Sequence, residues 1–178
     1  MHRLFIAIRP PQPVRDALVD AMEGIEGARW VDEDNLHLTL RFVGAVERPV
    51  ANDLAAALGR IEWPPFDLRI ERIGHFTRRG QTAALWARVA ASESLEGLRQ
   101  KIEGACEAAG LGRETRRFTP HITLARLNRS TGPIDGWLST FGDLRAGPWE
   151  VRDFVLYESH LGHTGAFYEP VARFGLRD

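Results

Sequence analysis

The sequence predicts an α+β fold of two pseudo-symmetric lobes, each an antiparallel-rich sheet with flanking helices, facing one another across a cleft. Three observations carry that prediction. Segments with the two-residue period of strands alternate with segments of helical period along the 178-residue chain. A four-residue pattern, His-x-Thr-Leu, occurs once in each half, at His37 and at His121. No stretch rich in Gly, Ser or Pro separates the halves, so residues 1–178 are expected to form a single two-lobed domain around one core.

Taken in order, Arg3 to Arg9 reads as a buried strand stopped by Pro10-Pro11, and Val14, Leu18, Val19, Met22 and Ile25 then recur at helical spacing. A short extended piece, Ala28 to Val31, leads through Asp32-Glu33-Asp34-Asn35 into Leu36 to Val43, which alternates apolar and polar residues as a half-buried strand does. Glu47 to Leu58 has Pro49 near its start and an alanine-rich interior, which suits a helix closed by Trp63-Pro64-Pro65. Phe66 to Phe76 and Thr82 to Ala90 form two strands joined at Arg78-Arg79-Gly80. A helix capped by Ser92 or Ser94 runs to Ala109 and stops at Gly110. Strand character returns at His121 to Leu127, Val151 to Ser159 and Ala166 to Phe174, the last two joined by a tight turn at Leu161 to Gly165.

Charge and cysteine usage narrow the function classes. The net charge of −1 offers no global attraction to a polyanion or a membrane, so any nucleic-acid contact is local and suits a short ligand end. The arginines of Arg78-Arg79, Arg113 to Arg117 and Arg126 are clustered, although such runs are usually solvated surface. A single cysteine, Cys106, allows neither an intrachain disulfide nor a cysteine zinc cluster, and a cytoplasmic protein is expected. No apolar run is long enough to span a membrane. A monomer is the default expectation.

Three His-x-Thr triplets occur, at His37, His75 and His121, where composition predicts well under one. Only His37-Leu38-Thr39-Leu40 and His121-Ile122-Thr123-Leu124 have a trailing leucine and a strand context. In a strand, residues two apart share a face, so each His-Thr pair projects together while the neighbouring apolar residues anchor the strand behind. Two such strands side by side would aim two imidazoles and two hydroxyls at one point. An imidazole near pKa 6.5 can serve as acid in one copy and base in the other, which suits phosphodiester hydrolysis. Thr39 and Thr123 can donate to the non-bridging phosphate oxygens. A metal reading finds no Asp or Glu nearby on the same faces. His75, His160 and His163 are left outside the site. Strict alternation also places Arg41 on the His37 face, and sends Phe42 and Arg126 to the packed faces.

At these residues the chain resembles the two-histidine phosphoesterase superfamily, and within it the bacterial and archaeal RNA 2′,3′-cyclic phosphodiesterases, also called 2′-5′ RNA ligases. The supporting text includes Arg3-Leu4-Phe5-Ile6-Ala7-Ile8, Trp30-Val31, Asn35 to Gly44, Ile73-Gly74-His75-Phe76, Leu85-Trp86, Arg117 to Arg126 and Leu156-Tyr157-Glu158-Ser159. The resemblance implies opening of an RNA cyclic phosphate, or of a small nucleotide, to a 2′-phosphomonoester without metal or other cofactor. Reversible 2′-5′ ligation is implied by the family's second name. It further implies that His37 protonates O3′, that His121 activates water and that Arg126 binds phosphate, and Phe42 is a candidate for stacking on a base. The residues themselves leave the order of the two histidines open and are equally satisfied by a core role for Phe42. Two alternatives stay open: a phosphodiesterase for another nucleotide or a 2′-5′ oligonucleotide, and a silent nucleotide-binding module.

Overall fold

A computed structural model describes residues 1–178. Its nine strands are β1 (His2–Ile8), β2 (Arg29–Trp30), β3 (Leu38–Val46), β4 (Phe66–Arg78), β5 (Gln81–Val89), β6 (His121–Arg126), β7 (Arg145–Val151), β8 (Asp153–Gly162) and β9 (Gly165–Gly175). The helices are α1 (Gln12–Ala21), α2 (Arg48–Gly59), α3 (Glu93–Ala108) and α4 (Asp135–Phe141). The strands run in the order β7-β4-β5-β6-β3-β1-β8-β9, with β2 on β6. Every pairing is antiparallel. The α+β expectation holds, with two four-strand groups, β7-β4-β5-β6 and β3-β1-β8-β9, meeting at the centre.

That central junction is slight. β3 and β6 pair at one position, Leu38 opposite Ile122, so the two groups splay from it and leave the cleft on one side. The other side carries the helices and a core of 34 buried residues running beneath both groups, among them Ile6, Leu38, Leu85, Ile122 and Leu156. The helices cross over between the groups. α1 packs on β7 and α3 packs on β3, so each half of the chain covers sheet belonging to the other. On the cleft side lies a smaller cluster of Phe5, Ala7, Val155 and Tyr157.

Local chemistry explains most boundaries. Pro13 enters α1 and Pro49 enters α2 at the first turn, where a missing N–H costs nothing. The Ser92 side chain accepts from the Leu95 N–H at 3.1 Å and caps α3. The helical periodicity through Ile25 overran its element, because α1 ends at Ala21 and Ile25 is buried from a turn. The segment after Leu127 holds α4 and β7, neither of which the sequence pattern revealed. Trp137 of α4 is buried, and its indole N–H donates to the Ala21 carbonyl at 2.7 Å.

Both motif strands carry the same irregularity. In β3, Thr39 pairs with Ala7 and Arg41 with Ile6, so Leu40 is one residue too many for its neighbour β1. In β6, Thr123 pairs with Trp86 and Ala125 with Leu85, so Leu124 is the extra residue against β5. Each bulge puts two consecutive residues on the packed side and reverses the alternation beyond it. Leu40 with Arg41, and Leu124 with Ala125, are therefore buried, while Phe42 and Arg126 are exposed. A second register shift follows at Val43, beside Gly44, whose φ of +86° suits glycine.

Candidate active site

The cleft between the two strand groups has a volume of about 880 Å³ and is lined by His37, Thr39, Phe42, His121, Thr123 and Arg126. All six residues singled out from the sequence thus meet in one place. The bulges decide two of them, Phe42 and Arg126. They overturn the expectation from strict alternation that Phe42 and Arg126 face the core, and they remove Arg41 from the site.

Arg41 is buried on the helix side, where its Nη1 donates to Glu103 Oε2 at 2.7 Å and its Nη2 donates to the Gly112 carbonyl at 2.6 Å. Its Nε donates to the Phe42 carbonyl at 3.0 Å. The Glu103 carboxylate also accepts from the Glu114 N–H at 3.4 Å. This buried pair therefore fastens the β3 bulge to the segment that leads into His121.

The two histidines are held alike. His37 Nδ1–H donates to the Asn35 carbonyl at 2.6 Å, and His121 Nδ1–H donates to the Thr119 carbonyl at 2.6 Å. A carbonyl two residues back fixes the ring orientation and the tautomer, leaving Nε2 of each imidazole for chemistry. In His37 that nitrogen lies 2.8 Å from Thr39 Oγ1. Asn35 is itself anchored, its Nδ2 donating to the Ala166 carbonyl at 2.9 Å.

Each ring also has two aromatic neighbours. Phe5 lies 4.9 Å from the His37 ring and Tyr168 meets it edge-on at 5.3 Å. Trp86 lies 5.6 Å from His121 and Phe76 meets it edge-on at 5.3 Å. Trp86 is placed by Gly74 directly across β4–β5, since any Cβ there would collide with the indole. Enclosure at the cleft floor lowers the His37 pKa from its ordinary 6.5; the Asn35 carbonyl opposes this, and the His121 charge adds a smaller downward push.

The charge lining the cleft is mostly positive. Arg3, Arg29, Arg116 and Arg126 border it, against Asp32 as the only carboxylate. Arg116 is held by Glu114 at 3.2 Å, and that pairing draws the Glu114 carboxyl down to about 2. Arg29 lies opposite Arg126 across β2–β6. Arg3, Arg29, Trp30, Phe76 and Tyr168 were not identified from the sequence, because they reach the cleft through strand pairing rather than through a local pattern. Phe76 belongs to the third His-x-Thr triplet; its neighbour His75 does not line the cleft, nor do His160 and His163. With donors grouped around the two Nε2 atoms, the arrangement can bind an anion and exchange protons on either side of it.

Residues 10–163 match the protein family described as the 2′-5′ RNA ligase superfamily. A Thermus thermophilus protein named RNA 2′,3′-cyclic phosphodiesterase is 35% identical over 189 residues, covering 98% of this chain and 90% of its own. One of the same name from Aeropyrum pernix is 31% identical over 144 residues, covering 79% and 82%. Among solved structures, E. coli LigT complexed with 3′-AMP superposes with a TM-score of 0.78 at 26% identity, covering 99% of both chains.

Proposed function

The chain belongs to the 2′-5′ RNA ligase superfamily, and we propose that it hydrolyses RNA 2′,3′-cyclic phosphate ends to 2′-phosphomonoesters by metal-independent acid–base catalysis between His37 and His121. The observation that carries this reading is the matched orientation of the two imidazoles, each with Nδ1 on a carbonyl two residues back, which leaves Nε2 on the side of the motif threonine and the cleft. The curated relatives named RNA 2′,3′-cyclic phosphodiesterase support the substrate class.

In this mechanism the cyclic phosphate lies between the histidines. His121 Nε2 removes a proton from a water that attacks phosphorus opposite O3′. The P–O3′ bond breaks, and His37 Nε2–H protonates the departing O3′. One P–O bond forms, one breaks, and the two histidines exchange protonation states. Thr39 and Thr123 donate to the non-bridging oxygens, and the Arg126 guanidinium holds the anion. Phe42 stacks on the terminal base from the cleft wall. The greater openness of His121 fits the water-activating role. His37 is disposed to be neutral in the free protein, and the bound phosphate counters this, so its proton is held once substrate is in place.

The two lobes act as one domain in this reading, since neither supplies both histidines. A cytoplasmic setting is supported by the lone cysteine, which is buried and has its thiol pushed up to about 11. No helix is long and apolar enough to cross a membrane.

The experiment is hydrolysis of a nucleoside 2′,3′-cyclic phosphate and of a cyclic-ended oligonucleotide in chelator, with the product isomer identified. A 2′-monophosphate is expected from both. Loss of turnover in chelator overturns metal independence, and a 3′-monophosphate product overturns the assignment of the leaving oxygen. Supplying a 5′-hydroxyl RNA end in the same assay shows whether it replaces water and gives a 2′-5′ linkage.

A further inference from the structure

On the face of β1, β8 and β9 turned away from the cleft, three side chains of metal-ligating type converge, with His2 beside one of them. Leu4 pairs with Glu158, Glu158 with Glu169, and His160 with Phe167. Arg3, Phe5, Ser159 and Tyr168 line the cleft, so alternation sends His2, Glu158, His160 and Glu169 to the opposite face. There His2 Nδ1 lies 2.8 Å from Glu158 Oε2, and His160 Nε2 lies 3.9 Å from Glu158 Oε1 and 3.2 Å from Glu169 Oε1. Glu158, His160 and Glu169 each place one ligand atom within 4.8 Å of the other two.

We propose that this cluster is a binding site for a divalent transition cation, with Zn²⁺ the ion whose chemistry it fits best. Four bonds of about 2.0–2.1 Å in a tetrahedron set ligand atoms roughly 3.3 Å apart. The 3.2 and 3.9 Å separations from His160 to Glu169 and Glu158 bracket that edge, and His2, 2.8 Å from the other Glu158 oxygen, is the side chain that must swing in as the fourth ligand. Two imidazoles with two carboxylates suit zinc and its neighbours, whereas Mg²⁺ and Ca²⁺ favour all-oxygen shells.

The alternative role, a network of ion pairs, leaves a charge problem. Glu158 and Glu169 face one another directly across β8–β9, an arrangement that is destabilising for like charges, and neither pairs with a lysine or arginine. Only imidazoles stand between them, and these carry no fixed charge. A dication supplies the missing charge. The ligands come from three adjacent strands, which hold them in place before the ion arrives. Phe167 stacks on the His160 ring at 4.8 Å and limits its rotation. Binding here would also cross-link β8 and β9, whose turn residues Thr164 and Gly165 border the cleft.

The test is calorimetric titration of chelator-stripped protein with Zn²⁺, on the parent and on a His37→Asn/His121→Asn background that removes the imidazole pair of the cleft. One Zn²⁺ per chain, bound in the micromolar range or tighter on both backgrounds, is expected, together with a rise in melting temperature. Glu158→Gln and His160→Asn should each weaken binding by at least about tenfold. Glu169 is largely exposed, so Glu169→Gln leaves the fold intact and should weaken binding in the same direction. Millimolar or absent binding overturns the proposal. So does binding that vanishes in the cleft double variant or survives unchanged in all three cluster variants. Hydrolytic activity does not enter this test, so its outcome is independent of the proposed reaction.

Discussion

The strand that follows His37 and the strand that begins at His121 share a backbone device and differ in what they hang on it. Both hold the histidine on a carbonyl two residues back, bulge at the motif leucine and then turn the fifth residue into the cleft. On the first strand that residue is the aromatic Phe42; on the second it is the cationic Arg126. Beside the bulge the first has Arg41, tied to Glu103, and the second has Ala125 in the apolar core. The lesson is that a symmetric backbone can carry asymmetric chemistry. One wall of the cleft presents an aromatic ring, the other a guanidinium.

The hardest way to break that comparison is to remove each histidine in turn. His37→Ala and His121→Ala should each lower kcat on a cyclic phosphate by about 10²–10⁴-fold, and the double variant should fall far short of the product of the two losses. Retained turnover in either single variant, measured under single-turnover conditions, defeats the paired roles. Next in size is the fastening that only the first strand possesses. Arg41→Met leaves Glu103 buried without its partner and should cost about 3–5 kcal/mol in urea unfolding, whereas replacing both with apolar residues should recover much of it.

At the cationic wall, Arg126→Ala should cost about 1.5–3 kcal/mol of transition-state binding, read as kcat/KM, with lysine restoring part of it. Phe42→Ala should be milder and should act on KM for oligonucleotides more than on kcat. Equal losses at the two positions would collapse the distinction between the walls. The smallest effect concerns pH. His37 must be protonated to act as the acid, and enclosure lowers its pKa, so one limb of the kcat/KM profile should lie below the ordinary 6.5. Bound phosphate restores the proton, so that limb should lie higher in the kcat profile. Limbs that coincide would count against His37 as the acid.

The paired histidines and their threonines were legible in the sequence because the two-residue period holds from His37 to Thr39 and from His121 to Thr123. It stops holding one residue later. Reading Arg41 as a cleft residue, and Phe42 and Arg126 as core by alternation, assumed a regular ladder, and a bulge is a property of two strands that neither one announces alone. The resemblance to known sequences sets Arg126 against the alternation and leaves Phe42 open between base stacking and the core; both residues line the cleft. The trailing leucine that separates the His37 and His121 motifs from the third triplet proves to be the bulged residue itself. α4 and β7 escaped notice because one is seven residues long and the other, through Ala146-Gly147-Pro148, has no apolar alternation. Arg3 and Arg29 stand on strands whose place beside the cleft depends on partners far along the chain.

The crossing of α1 onto β7 and of α3 onto β3 has a consequence for how the chain unfolds. Cutting between the halves would strand each sheet without the helix that shields it, exposing apolar surface on both. Partial unfolding therefore gains little over complete unfolding, and the molecule should melt as one cooperative unit despite the single Leu38–Ile122 seam at its centre. The same exchange of helices implies that neither half, expressed alone, would be a stable ancestor of the whole.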